Sequence, residues 1–161
     1  MFDVEVGDGQ SYRESRAYRA GRTASLAETA MGRVGMTICY DVRFPHLYRT
    51  LGQAGADLIT IPSAFTRVTG EAHWHVLVRA RAIETGSFVL APAQGGHHED
   101  GRETFGHSLI VSPWGDILAE ADHDEPGYIS AYLDLADFAK ARARIPALHN
   151  AQAIALGTTE S

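Results

Sequence analysis

Three short apolar stretches alternate with two amphipathic ones, and this alternation restricts the possible folds more than any other feature of the sequence. The apolar stretches are GRVGMTIC (32–39), DLITIPSAF (57–65) and SFVLAPAQ (87–94). Each has the length and the aliphatic content of a buried strand. Strands that are apolar along their whole length are typical of parallel sheets covered on both faces. We therefore predict an α/β fold with parallel strands at its centre.

The two intervening stretches have helical periodicity. In FPHLYRTLGQAG (44–55), Pro45 and Gly55 supply a start and a stop signal. The second stretch, AHWHVLVRARAIET (72–85), precedes Gly86, a typical residue at the end of a helix. The spacing predicts that its buried face consists of Val76, Leu77, Ala80 and Ile83. These two helices cover one face of the sheet, so we expect the other face to need a missing half or a partner.

Weaker patterns follow after residue 94. We predict a polar loop in GGHHEDGRET, a hairpin formed by FGHSLIVS and DILAEA around the turn PWG, and a strand in GYISAYL. DLADFAKARARI predicts a last helix, with Asp134 as its N-terminal cap.

Composition excludes several classes of partner. The 161 residues carry a formal charge of −6, with 45% hydrophobic and 21% charged residues, as is ordinary for one globular domain. This charge gives no basis for binding nucleic acid or an anionic membrane. No apolar stretch is long enough to span a bilayer, and the acidic start MFDVEVGDGQ does not resemble a signal peptide. We expect a cytoplasmic protein.

The single cysteine, Cys39, lies where the first predicted strand ends and a helix can begin. Ligands of α/β sheets bind beyond the carboxyl ends of the strands. A thiol at a strand-to-helix turn also lies near backbone N–H groups that favour its anionic form. Free cysteines are nevertheless among the most often buried residues. From position alone, a nucleophile and an inert core residue are equally good interpretations.

Several ordered blocks resemble the nitrilase, or carbon–nitrogen hydrolase, superfamily. They are GMTICYDVRFP, DLITIPSAF, TGEAHW, VRARAIETGSFVLAPAQ, GHSLIVSPWG and RARIP. The similarity runs almost continuously from Phe2 to about Pro146 and is greatest to the deaminated-glutathione amidase and omega-amidase branches. It implies that residues 1–146 are the C-terminal part of the four-layer αββα sandwich of the nitrilase fold, and that residues 147–161 are a tail.

The resemblance implies a hydrolase of linear amides with a Glu–Lys–Cys triad. The Cys thiolate attacks the amide carbonyl, the Glu transfers protons, and the Lys stabilises the oxyanion. Water then hydrolyses the thioester, so that a small carboxylate-bearing amide yields an acid and ammonia. The family implies no cofactor and suggests a homo-oligomer.

The family's functional residues correspond to particular positions of this sequence. Cys39 corresponds to the nucleophile, and the backbone N–H of Tyr40 to an oxyanion donor. Glu14, in SYRES, corresponds to a second glutamate that positions substrate and supports the triad lysine. Its separation from Cys39, 39 − 14 = 25 positions, agrees with the family. On the residues alone, Glu14 is interpreted as a solvated loop carboxylate.

Three further residues correspond to the substrate-binding part of the family site. Arg43 corresponds to an arginine that faces the substrate carboxylate, which a guanidinium can bind with two parallel hydrogen bonds. A helix-start arginine paired with Asp41 is the alternative. Phe65 and Thr69, in SAFTRVTG, correspond to the loop that lines the acyl pocket. Without the family, Phe65 would be interpreted as a core residue.

The sequence departs from the family pattern in the triad. The triad Glu belongs to an earlier part of the family domain, and the triad Lys to a K-x-H-L-F-D segment of which the start MFD matches only the end. The single lysine, Lys140, lies in the last predicted helix and is interpreted as a solvated residue. We expect a longer protein. The alternative is a truncated, non-catalytic relative that acts as an interaction or regulatory module.

Two histidine pairs are candidate metal ligands on residue type alone. His73 and His75 are two positions apart and would point to different faces of a helix, and the adjacent His97 and His98 diverge in a loop. Because no recognisable ligand spacing is present, the sequence predicts no metal site.

Overall fold

The computed structural model describes residues 3–5, 11–122, 124–150, 152 and 155. In chain order, its strands are β1 (Asp3–Glu5), β2 (Ser11–Arg13), β3 (Ser25–Thr29), β4 (Gly32–Met36), β5 (Leu58–Thr60), β6 (Phe88–Ala91), β7 (Gly95–His97), β8 (Glu103–Phe105), β9 (Leu109–Val111) and β10 (Ile117–Glu120). Its α-helices are α1 (Pro45–Gln53), α2 (Arg67–Thr85) and α3 (Ala136–Arg144). Short 3₁₀ helices span Glu14–Arg16 and Cys39–Arg43.

A six-stranded sheet organises this part of the chain, in the order β10-β9-β6-β5-β4-β3. The three central strands, β4, β5 and β6, are parallel to one another. β3, β9 and β10 are antiparallel to their neighbours and complete the sheet at its two edges. The predicted α/β fold with a parallel centre is therefore confirmed.

One face of the sheet forms the main core with α1 and α2. Ile59, Val89 and Val111 lie opposite one another on three neighbouring strands and are fully buried. They belong to one apolar cluster with Trp74 and Val78 of α2. Burial of each such side chain contributes roughly 1.5–3 kcal/mol, so this layer is a principal source of stability.

The opposite face of the sheet is shielded at its centre and open at β4. Leu58, Phe88 and Ile110 point to this face and are only 3%, 1% and 8% exposed. Met36, on the same face, is 49% exposed. The expectation that this face needs cover from a missing half or a partner is therefore wrong at the central strands. It agrees with the exposure of Met36 on β4.

The helix α2 begins earlier than predicted and buries a different face. The Thr66 hydroxyl accepts a hydrogen bond from the backbone N–H of Thr69 at 3.3 Å, which moves the helix start ahead of the predicted Ala72. Val76 and Ile83 are 69% and 52% exposed. The buried positions are Gly70, Trp74, Val78, Arg81, Ala82 and Thr85. The prediction was wrong for Val76 and Ile83, whereas Leu77 is partly buried against the core. Both sides of α2 carry apolar residues, and helical periodicity alone cannot choose between them.

The remaining elements agree with the sequence in part. α1 and the β9–β10 hairpin are confirmed. The N-terminal cap of α3 is Leu135 and not the predicted Asp134, although the Asp134 carboxylate accepts a hydrogen bond from the N–H of Ala136. The predicted loop in residues 95–104 instead contributes β7 and most of β8, and residues 127–133 are not a strand. None of the helices in the described ranges is long and apolar enough to cross a membrane.

Gly70 provides a test of the packing of α2. A Cβ atom at this position would lie 2.2 Å from the Cβ of Phe105, which is itself buried. We expect Gly70→Ala to lower the free energy of unfolding of the full-length protein by about 1–3 kcal/mol, because overpacking outweighs the helix propensity of alanine. Denaturant unfolding measures this change. Gly21→Ala is the control, since nothing lies within 4 Å of its added Cβ. Equal stability of the two variants would contradict the close approach.

Candidate active site

Cys39 lies at the carboxyl ends of the parallel strands, as predicted. It begins the 3₁₀ helix Cys39–Arg43 just beyond β4, and its N–H donates a hydrogen bond to the carbonyl of Pro62, beyond β5, at 2.8 Å. Its φ angle is 47°, in the left-handed region that few residues with a side chain adopt. The thiol residue is half-buried. The backbone here is a strained strand-to-helix turn, a type of turn on which other hydrolases carry their nucleophile.

Thr37 fixes the backbone two residues before Cys39. Its hydroxyl lies 2.8 Å from the carbonyl oxygen of Thr60 and 2.6 Å from the hydroxyl of Tyr48, so β4, β5 and α1 are joined at one point. Burial raises the pKa of Tyr48 far above its ordinary value, and the hydrogen bond with Thr37 offsets only part of this rise. Tyr48 therefore remains a neutral phenol that can keep its place in the core.

Arg81 anchors the helix of Cys39 from the side of α2. Its Nε donates a hydrogen bond to the carbonyl of Val42 at 2.8 Å, and its Nη1 forms an ion pair with Glu84. Its guanidinium lies 5.4 Å from the ring centroid of Tyr48. This role of Arg81 was not predicted from the sequence. The available signal was the position of Arg81 on the same helix face as Trp74, where a surface arginine would not be expected.

Arg43 is held among aromatic groups beside Cys39. Its Cζ lies 5.0 Å from the ring centroid of Phe65 and 5.5 Å from that of Tyr40, within the range of cation–π attraction. Its Nη1 is 3.3 Å from the Nδ1 of His73. Because a guanidinium only donates hydrogen bonds, His73 is the acceptor in this contact. The carboxylate of Asp41, the alternative partner, accepts a hydrogen bond from the N–H of Ile38.

Phe65 and Thr69 have clear structural roles. Phe65 is 7% exposed and packs on Trp74 with ring centroids 5.0 Å apart, while its carbonyl accepts a hydrogen bond from the N–H of Phe105. The Thr69 hydroxyl lies 2.8 Å from that of Thr66 at the start of α2. Their contact with substrate stays a prediction, although Phe65 already touches the candidate site through Arg43.

Glu14 and Tyr40 are placed by their own 3₁₀ helices. The carbonyl of Glu14 accepts hydrogen bonds from the N–H groups of Ala17 and Tyr18, and its side chain is partly buried. The ring of Tyr40 makes an edge contact with Phe44, with centroids 5.6 Å apart. The roles of the Glu14 carboxylate and of the Tyr40 N–H at Cys39 stay predictions.

A separate cavity of about 130 Å³ lies between the end of α2 and α3. Its walls are mainly apolar and include Ile83, Trp114, Ile145 and Leu148. None of the candidate residues lines it, so we do not assign the reaction to this cavity.

Tyr48 provides a test of the support beneath Cys39 through pH. The folded state holds the Tyr48 proton at pH values where the unfolded chain has lost it, so the free energy of unfolding should fall as pH rises above about 10. We expect Tyr48→Phe to remove part of this slope, and to cost about 1 kcal/mol at neutral pH through the lost hydrogen bond. Denaturant unfolding from about pH 8 to about pH 11 measures both effects. Tyr128→Phe, at a 94% exposed position, should keep the wild-type slope. If the free energy of unfolding of Tyr48→Phe fell with pH as steeply as that of the wild type, Tyr48 would not be the source of this pH dependence.

Known proteins resemble this chain along nearly its whole length. A family model described as carbon–nitrogen hydrolase matches residues 1–143. The deaminated glutathione amidase of Synechocystis sp. (strain PCC 6803 / GT-S) is 45% identical over 152 residues, which cover 93% of this chain and 56% of that protein. The chain thus spans about half the length of the curated relatives it matches.

Solved structures show the same architecture. The crystal structure of the C. elegans NitFhit protein matches with a TM-score of 0.80 and 38% identity, covering 94% of this chain and 37% of that one. A mutant of the amidase from Nesterenkonia sp. AN1 matches with a TM-score of 0.67 and 28% identity over 83% of this chain and 52% of that one. That structure shows the product of Michael addition of acrylamide at its active-site cysteine. These matches confirm the predicted fold class.

Proposed function

The chain belongs to the carbon–nitrogen hydrolase family, and from this premise we propose that the full-length protein hydrolyses the C–N bond of a small, carboxylate-bearing linear amide through Cys39. The observation that carries the proposal is the backbone of Cys39. Its left-handed φ, its place beyond β4 and its hydrogen bond to Pro62 hold the thiol at the sheet edge where substrates of α/β proteins bind.

The proposed reaction has two steps. The Cys39 thiolate attacks the amide carbonyl, a C–S bond forms, and the C–N bond breaks as the leaving nitrogen takes a proton. Water then attacks the thioester, the acid product departs, and the thiol is restored. The backbone N–H of Tyr40 is the proposed donor to the oxyanion in both steps.

The rest of the proton transfer is assigned by family resemblance. The resemblance assigns the proton-transferring Glu and the oxyanion-stabilising Lys to the part of the family domain that precedes the segment matched by this chain. Within this chain, Glu14 is the proposed second glutamate, which positions substrate and supports that lysine.

Arg43 is the proposed recognition group for the substrate carboxylate. Its guanidinium is held beside the helix of Cys39 by contacts with Phe65, Tyr40 and His73. Because the side chain is already restricted, little conformational entropy is lost when a carboxylate binds. Thr69 and Phe65 are the proposed lining of the acyl pocket. Because the relatives include deaminated glutathione amidases, deaminated glutathione is the first substrate to test.

Replacement of Cys39 tests the nucleophile. We expect Cys39→Ala and Cys39→Ser to lower amide hydrolysis in the full-length protein by at least about a thousandfold, because loss of the nucleophile removes the covalent route. Product release measured with deaminated glutathione checks the rate, and denaturant unfolding checks that the fold is kept. Turnover within about tenfold of wild type would reject Cys39 as the nucleophile.

A second readout separates catalysis from a purely structural role of the thiol. A reactive Cys39 is expected to be alkylated by iodoacetamide in the native protein, as seen by mass spectrometry of the peptide that contains it. Alkylation only after unfolding would support an inert core cysteine.

Replacement of Arg43 tests carboxylate recognition. We expect Arg43→Ala to raise KM for carboxylate-bearing amides about ten- to hundredfold, since it removes a hydrogen bond between charged groups. Hydrolysis of neutral amides should change much less. Arg43→Lys keeps the charge but not the paired donors. Its KM for carboxylate-bearing amides should therefore lie between those of the wild type and Arg43→Ala. Arg33→Ala, which removes an exposed partner of Glu28, is the control. An equal loss for neutral amides would contradict the carboxylate role.

A further inference from the structure

Two histidines and a glutamate meet where α2 lies against the edge strand β10, at residues that the proposed reaction does not use. One carboxylate oxygen of Glu120 lies 2.9 Å from the Nε2 of His75 and 2.6 Å from the Nδ1 of His107. The three ligand atoms all lie within 4.8 Å of one another. Two imidazole nitrogens and one carboxylate oxygen form a donor set typical of zinc sites that keep a fourth position open.

The three side chains come from three different elements of the fold. His75 lies in α2, His107 precedes β9, and Glu120 ends the edge strand β10. Neither histidine is adjacent to another ligand in sequence, so no short motif announces the cluster. The tertiary structure alone brings them together.

A register shift in β10 turns Glu120 toward α2. Ile117 lies opposite Val111, but after the irregularity between Ile117 and Ala119, Glu120 lies opposite Leu109. Val111 and Leu109 both belong to the core on the helix side of the sheet. Without the extra residue, strand alternation would point Glu120 to the other face. The bulge therefore places the carboxylate on the side where His75 lies.

The two imidazole rings are held in place by neighbouring aromatic groups. The ring of His107 stacks on Phe105 with centroids 4.2 Å apart, and the ring of His75 meets the edge of Phe105 at 5.9 Å. The indole Nε1 of Trp74 donates a hydrogen bond to the carbonyl of His107 at 2.7 Å. Because these contacts already restrict both imidazole rings, less side-chain entropy is lost when a ligand binds.

The backbone of His107 is strained in the same sense as that of Cys39. Its φ is 56°, and within the described residues it shares positive φ only with Cys39 among non-glycine residues. Such conformations cost of order 1–3 kcal/mol and cluster at ligand clamps and active sites. A glycine at this position would relieve the strain. The histidine keeps it, and its backbone conformation sets the direction of the imidazole.

The cluster remains accessible from solvent. The side chains of His75, His107 and Glu120 are 31%, 27% and 28% exposed. A glutamate carboxylate coordinates a cation in its ionised form, which is the ordinary form of this side chain at neutral pH.

We propose that His75, His107 and Glu120 bind a divalent transition-metal ion, with Zn²⁺ as the best fit, and so clamp α2 to β10. A tetrahedral centre with metal–ligand distances near 2.0–2.2 Å needs its donor atoms about 3.3 Å apart. Shifts of roughly an ångström bring the three atoms to that spacing. Each coordinating nitrogen gives up its proton, either to the other ring nitrogen or to solvent. The reaction proposed at Cys39 uses none of these three side chains.

Zinc binding by the full-length protein tests the site. After treatment with a chelator and dialysis, titration of Zn²⁺ followed by calorimetry should show one ion per chain. Glu120→Gln and His107→Ala should each weaken this binding by more than about tenfold, because even the loss of a supporting partner of a ligand costs ten- to hundredfold. Thermal unfolding should show a midpoint that rises with Zn²⁺ in the wild type and not in these variants.

A matched histidine variant separates the site from general histidine binding. His97 is 75% exposed and pairs with Glu103, so His97→Ala removes a histidine–glutamate pair outside the cluster. It should bind Zn²⁺ as the wild type does. Circular dichroism of the metal-free variants checks that they are folded, and Glu120→Gln preserves the shape of the side chain. Equal zinc affinity of the wild type and Glu120→Gln would overturn the proposal and leave a hydrogen-bonded cluster only.

Discussion

The packing of α2 against the sheet is the contact on which both candidate sites depend. Its buried face meets the layer formed by Ile59, Val89 and Val111, and this contact sets the rotation of the helix about its axis. Once the rotation is set, Arg81 points inward to the carbonyl of Val42, and His75 points to the edge strand. A helix rotated to bury the alternative apolar side would break both contacts. The hydrophobic layer thus decides the position of polar groups that contribute little to the core themselves.

Electrostatic order around Cys39 comes from groups held by packing. Arg81 is a buried cation that donates hydrogen bonds to a backbone carbonyl and pairs with Glu84, which avoids the cost of an unpaired buried charge. Arg43 is only partly buried and rests against aromatic rings. The first arginine therefore serves the fold, whereas the second is the one proposed to bind a carboxylate. The two residues look alike in the sequence, and their neighbours distinguish them.

Local patterns predicted those elements whose signals lie within a few residues. The strands around Ile59 and Val89, the helix that starts at Pro45 and the hairpin at Gly115 follow from apolar runs and turn residues. Prediction was wrong where two local readings compete. α2 carries apolar residues on both sides, and Gly95–His97 looks like a loop although it pairs with a strand eight residues onward along the chain.

The sequence by itself determined the central strands with the two helices between them, the family of the chain and the place of Cys39 after a strand, because each depends on neighbours along the chain or on long ordered blocks. Tertiary structure alone decided which face of α2 is buried, that Arg81 reaches Val42, and that His75 meets a glutamate 45 positions away. These contacts depend on helix rotation and on one extra residue in an edge strand. Both are outcomes of packing between distant segments, which no local pattern contains.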